Sequence, residues 1–119
     1  MKTLYKLLAI MFLFAVCSCV QKSYNRTIVF KLDAKDIKNI TTAGIRGNDK
    51  PLNWDNDFPM TFDPKDSLYK ATITGNTGYL FTEVKFVVNG EFEFKDRENR
   101  KIYFENKDTI VYNAVFNKK

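Results

Sequence analysis

Beyond residue 26 the chain never sustains a helical period. Its apolar residues come instead in short β-branched and aromatic runs separated by turn residues. A chain without a 3.6-residue apolar stripe has no amphipathic helix with which to cover a sheet. Residues 27–32 alternate, with Ile28, Phe30 and Leu32 on one face. Residues 33–39 are polar, with room for one helical turn. Residues 40–46 form a second strand, closed by Gly47-Asn48-Asp49-Lys50-Pro51. Further strands are expected at 60–62, 68–74, 80–88, 91–95, 101–105 and 110–116. Seven or eight short strands, with turns about every 8–12 residues, predict an all-β fold. The expected form is an immunoglobulin-like antiparallel β-sandwich. Spacing alone equally allows a small barrel.

The chain has 119 residues, enough for one domain. It contains no histidine, which removes histidine-based triads, metal sites and general bases. The only cysteines are Cys17 and Cys19, so the rest of the chain has neither a disulfide framework nor a thiol nucleophile. An aromatic share of 15% argues against disorder, and a mean hydropathy of −0.34 argues against a polytopic membrane protein.

The N-terminus carries an export signature. Lys2 and Lys6 lie in a short basic start, followed by ten apolar residues at 7–16. A membrane-spanning helix needs about 20, so this run matches a signal peptide instead. Val16-Cys17-Ser18-Cys19 resembles a bacterial lipobox, with an aliphatic residue three before the cysteine and a small residue directly before it. The resemblance implies that Cys19 is lipidated and becomes the first mature residue. The expected organisation is a lipoprotein signal peptide at 1–18, a lipidated N-terminus and tether at 19–26, and a β-sandwich domain at 27–117. The expected location is the cell envelope, periplasmic or outer-membrane, with contact to the membrane through the lipid alone. Removing 1–18 takes away two lysines and no acid, leaving 17 basic against 14 acidic side chains, a net +3. These charges are interleaved and form no basic stripe, so no nucleic-acid partner is expected.

Asn89-Gly90 is the strongest hairpin signal. Both residues tolerate the positive φ that a type I′ turn requires. A two-residue turn would set Val88 opposite Glu91, Val87 opposite Phe92, Phe86 opposite Glu93 and Lys85 opposite Phe94. Cross-strand partners share a face, which groups Lys85, Val87, Phe92 and Phe94. If Val84, Phe86 and Val88 fill the core, both phenylalanines point outward beside a lysine. If the phenylalanines fill the core, Lys85 is drawn inward, and a bulge or longer loop would reconcile the two.

Four segments then combine. Residues 47–54, GNDKPLNW, resemble the tryptophan loop of family 20 carbohydrate-binding modules, the starch-binding domains; related glycogen-binding modules share the sandwich. Leu68-Tyr69-Lys70-Ala71-Thr72-Ile73 resembles their aromatic-led strand, Glu83-Val84-Lys85-Phe86-Val87 their E-Y-K-F-v strand, and residues 94–100, FKDRENR, their W-E-x-x-x-N-R segment. The order is kept, and the resemblance spans residues 28–116. It implies an α-glucan or other glycan as partner, bound by stacking of Trp54 and Phe94 on adjacent sugar faces, with Lys85 and Asn99 as polar contacts. Phe94 stands where the family has tryptophan, Lys95 where it has an acid, and Asn53 where it has glycine.

Other chemistry is weakly marked. Asp55, Asp57, Asp63 and Asp66 offer oxygen ligands but match no calcium loop, so no metal site is expected. Glu91 and Glu93 share a strand face at a separation within glycosidase range, yet no cleft is expected beside them. Trp54 sits in a polar loop, which favours exposure over a place in the core. The expected function is non-catalytic glycan binding, without cofactor, by a lipid-anchored β-sandwich. The alternative is a protein-interaction or accessory subunit of an envelope complex built on the same fold. Cys19→Ser should move the protein from the membrane to the soluble fraction on ultracentrifugation; retention in the membrane pellet would contradict the lipobox.

Overall fold

The alternating run around Phe30 becomes the spine of one sheet. The structure is a computed structural model, and it describes residues 2–6, 22–95 and 97–119. Strand β1 (Tyr24–Asp33) buries Arg26, Ile28, Phe30 and Leu32 and turns the intervening side chains outward. It pairs antiparallel with β5 (Leu68–Thr77) and parallel with β9 (Thr109–Val115). Strand β4 (Thr61–Asp63) adds to the free edge of β5, giving a four-stranded sheet in the order β4-β5-β1-β9.

The second sheet is built on β6 (Phe81–Val88). One edge pairs with β2 (Ala43–Gly47), which carries β3 (Phe58–Pro59) outside it. The other edge is shared: β7 (Glu91–Phe92) pairs with Val87 and Val88, and β8 (Arg100–Tyr103) pairs with residues 81–84. The two sheets meet through Phe30 and Phe86, whose rings lie edge to face at 5.9 Å and 83°. Tyr112 flanks Phe30 at 6.1 Å. Ile28, Leu32, Ile45, Ile73, Val84, Val88, Ile102, Phe104 and Phe116 fill the space around them. Among the described residues no strand ladder joins one sheet to the other. The expected all-β sandwich is therefore borne out, and the barrel is not.

Two local expectations change. The segment read as tether is already strand from Tyr24, because Tyr24, Asn25 and Arg26 pair with Thr77, Asn76 and Gly75. Arg26 takes the next inward position below Ile28, its guanidinium under the rings of Tyr24 (4.7 Å) and Phe104 (5.6 Å) and donating to the Lys107 carbonyl at 2.7 Å. A charged residue on the inner face hides the period from a hydropathy reading. Among the described residues nine strands form in place of seven or eight, because the segment around Met60 contributes both β3 and β4. Cys19 and most of the expected signal segment lie outside the described residues. Among the described residues no helix is long and apolar enough to cross a membrane.

The chain between β7 and β8 closes around a buried ion pair. Glu93 is fully buried, and Arg100 nearly so. Glu93 Oε2 accepts from Arg100 Nε at 2.8 Å and from the Phe86 amide at 2.9 Å, while Oε1 accepts from Arg100 Nη2 at 2.9 Å. The same Nη2 donates to the carbonyls of Val115 and Lys118 at 2.9 and 2.7 Å, fixing the C-terminal end against β8. Burial pulls the Arg100 pKa down, and the hydrogen bonds it donates to Glu93 and Tyr112, together with the charge of Glu93, more than offset it, leaving the pKa raised. The guanidinium stays charged across any working pH.

Removing one partner of such a pair leaves an uncompensated charge in the interior, a loss of about 3–5 kcal/mol. Glu93→Ala should therefore lower the stability measured by urea denaturation by about that amount. Glu91→Ala, at an exposed position of β7 two residues earlier, should stay within about 0.5 kcal/mol of the wild type.

Candidate functional site

The hairpin forms as its turn residues dictate. Asn89 and Gly90 have φ of 53° and 79°, and Val88 and Val87 pair with Glu91 and Phe92. The Asn89 side chain fixes the turn to the neighbouring loop: its Oδ1 accepts from the amides of Thr41 and Thr42 at 2.7 and 3.3 Å, and its Nδ2 donates to the Asn39 carbonyl at 3.2 Å.

One residue later the ladder stops. The Glu93 amide still donates to the Phe86 carbonyl at 3.0 Å. The Phe86 amide, however, turns to the Glu93 carboxylate instead of a backbone oxygen. Phe94 then adopts φ of 51°, and its amide donates to Asn117 Oδ1 at 2.9 Å. Its ring lies 4.8 Å from the Arg100 guanidinium carbon, and the residue is 7% exposed. The expected grouping of Phe94 with Lys85 on one face is thus corrected: Phe94 covers the ion pair. Phe92 alone stays outside, 38% exposed.

Phe92 meets the loop after β2 on the outer face of the second sheet. The Trp54 ring stands 6.5 Å from the Phe92 ring at 47°. Trp54, Lys85, Phe92 and Asn99 line one open depression of about 210 Å³. Three of the four residues singled out from sequence therefore converge, and Phe92 occupies the place expected for Phe94.

The sequence sets Trp54 in position through its loop. Leu52 is buried and anchors the loop to the core. Gly47 lets it approach, since a Cβ there would sit 2.8 Å from the Glu83 carbonyl and 2.9 Å from Leu52 Cδ1. Asn53 Oδ1 accepts the amides of Asp55 and Asn56 at 2.9 and 2.7 Å, turning the chain tightly after the tryptophan. Trp54 Nε1 donates to Asn48 Oδ1 at 2.7 Å, and Asn48 Nδ2 donates to Glu83 Oε2 at 3.3 Å. The indole is held at the surface and is absent from the core cluster.

Arg46 went unnoticed in the sequence. It pairs across the ladder with Lys85. Its Nη1 donates to the Trp54 carbonyl at 2.8 Å and its Nε to Asp57 Oδ1 at 2.6 Å. Its guanidinium carbon lies 5.1 Å from the Phe92 ring centre, on a ring that Lys85 Nζ also approaches at 5.9 Å. Two cations against one ring hold it in place by cation–π attraction. Three of the four acids weighed for calcium have cationic partners: Asp57 has Arg46, while Asp63 and Asp66 share Lys70 at 2.9 and 2.6 Å. Hydrogen bonds from Lys70 hold both of the latter carboxyls below their usual value.

The arrangement offers two aromatic faces with an ammonium and an amide at the border. Such a surface matches a ligand with apolar C–H faces and a polar rim. Neither the models of known protein families nor the curated proteins match this chain.

The opposite settings of the two phenylalanines predict opposite phenotypes. Phe94→Ala should cost about 3–5 kcal/mol of stability by uncovering the ion pair. Phe92→Ala should change it by about 0.5 kcal/mol or less. Thermal melts followed by circular dichroism check both.

Proposed function

We propose that this protein is a lipid-anchored cell-envelope module that binds α-glucan or a similar glycan without cleaving it. The observation that carries this reading is the convergence of Trp54, Phe92, Lys85 and Asn99 on one open depression. Three of the four segments that resemble the starch-binding modules meet there; the fourth, residues 68–73, lies in β5 of the other sheet, and the second ring comes from Phe92. Sugar rings present apolar C–H faces, and aromatic faces are electron-rich. Stacking removes apolar area from water at roughly 25 cal/mol per Å². Lys85 and Asn99 supply donors for hydroxyl oxygens at the rim, and the Asn99 amide oxygen can accept.

The tilt of 47° between Trp54 and Phe92 favours a curved ligand over a flat one. Two non-parallel platforms fit successive rings of a chain that turns, as α-linked glucose does. The depression is open and of about 210 Å³. That is below the roughly 300–1,000 Å³ of sites that engulf a small molecule. A stretch of an exposed polymer suits it better than an enclosed metabolite.

The test is affinity electrophoresis of the full chain in native gels with and without soluble starch. The detergent must carry no sugar headgroup. Wild type should be retarded by starch. Trp54→Ala should lose the retardation, since a central aromatic anchor typically contributes about 2 kcal/mol or more, about thirtyfold in affinity. Phe92→Ala should reduce it less, because the ring is smaller, and Lys85→Ala least. Identical migration of the wild type in both gels would overturn the glycan reading and favour a protein partner on the same surface.

A further inference from the structure

The aromatic surface does not end at Trp54 and Phe92. Along β6 the outer-face positions are Phe81, Glu83, Lys85 and Val87, the last buried beneath its neighbours. Their cross-strand partners are Tyr103 for Phe81, Lys101 for Glu83, Arg46 for Lys85 and Phe92 for Val87. Residues paired in a ladder share a face, so all of these side chains belong to the outer face of one sheet. At its far end Phe81 and Tyr103 stack at 5.4 Å and 44°, and Lys101 Nζ sits 5.4 Å from the Phe81 ring centre. Phe81 is 37% exposed and Tyr103 57%, so the pair is presented to solvent. It repeats the plan of the first site: two tilted rings with a cation against one of them.

Polar groups fill the interval between the two aromatic pairs. Glu83 lies midway on β6, and its carboxylate accepts from Asn48 Nδ2 at 3.3 Å. Asn48 in turn accepts from the Trp54 indole at 2.7 Å. The strand rises about 3.4 Å per residue, so Phe81 lies about 14 Å along β6 from Lys85. That interval accommodates a few sugar rings over a floor of hydroxyl partners.

We infer that Phe81 and Tyr103, with Lys101, form a second aromatic subsite for the same glycan chain, so that the ligand runs along β6 from Trp54 past Glu83 to Tyr103. This rests on the glycan reading of the Trp54 site and adds a direction and a length to it. The occupant follows from the page: the pair is continuous with the depression on one sheet face, and the groups between are hydrogen-bonding side chains rather than an apolar floor.

Chain-length dependence tests it. Maltotriose should fill the Trp54 pair alone, whereas maltoheptaose should engage both aromatic pairs. Calorimetric titration of the full chain, in a detergent without a sugar headgroup, should show maltoheptaose binding roughly tenfold more tightly than maltotriose, the scale of one additional ring contact. The double variant Phe81→Ala/Tyr103→Ala should lose that advantage and keep the maltotriose affinity. Tyr103→Ala alone, at the more exposed of the two positions, should lose part of it with an unchanged melting temperature. Trp54→Ala should weaken both oligomers. Equal wild-type affinity for the two oligomers, or an undiminished heptaose advantage in the double variant and in Tyr103→Ala, would overturn the second subsite while leaving the first intact. Absence of binding to either oligomer by the wild type would overturn both.

Discussion

A carboxylate and a guanidinium taken out of water decide which way the chain faces at the edge of this sandwich. Glu93 enters the interior at the inward position that the hairpin register assigns to it. Its two oxygens then collect the Arg100 fork and the Phe86 amide. That last bond displaces the backbone oxygen that would have continued the ladder. The chain leaves the strand at once, and Phe94 swings through a positive φ to lie over the guanidinium. A strand that went on alternating would have turned both Phe92 and Phe94 outward. The ion pair instead divides them, one covering the charge and one facing solvent. It also reaches the carbonyls of Val115 and Lys118, so the C-terminal residues are held by the group that orders the site's edge. A buried pair of this kind adds little net stability over an apolar replacement, but half of it is costly to leave behind. Here it links Phe86, Phe94 and Arg100 to the carbonyls of Val115 and Lys118.

Much of the fold was legible because period-2 alternation is a direct image of a half-buried strand. Ile28, Phe30 and Leu32 face inward as their spacing requires. The Asn89-Gly90 turn sets the register that its chemistry allows. Trp54 is presented by its polar loop, as Asn53 and the surrounding acids suggest. What escaped the sequence shares one cause. Arg26, Glu93 and Arg100 are charged residues at inward positions, and hydropathy reads charge as surface. Arg26 extends β1 into the segment read as tether. Glu93 and Arg100 lie seven residues apart, and nothing local announces that they meet. Extrapolating the hairpin ladder one pair too far followed from missing that encounter. Arg46 was passed over for a similar reason: its role depends on partners, Asp57, Trp54 and Phe92, that only the folded sheet brings together.

The resulting surface is preorganised. Trp54 is held through its indole nitrogen and its carbonyl, and Phe92 lies against two cations. Few side chains need to be ordered when a ligand arrives, which spares about 0.5–1.5 kcal/mol for each side chain already fixed. The depression is shallow, so affinity from one such site is expected to be modest. A membrane anchor would suit that chemistry, because many copies on one surface could engage a polymer together. Weak stacking sites at close spacing gain by multiplicity what each lacks alone.

Trp54 is the sole tryptophan, so its indole gives a single, assignable signal. The most direct measurement is an isotope-edited nuclear magnetic resonance titration of the labelled full chain with maltoheptaose. Glycan stacking on this platform predicts that the Trp54 indole signal, the Phe92 amide and the Asn99 side-chain amide shift together along one saturating curve, while the Phe94 amide stays still. A Trp54 indole signal that remains fixed at millimolar maltoheptaose, or a shift centred on Phe94 instead of Phe92, would contradict it.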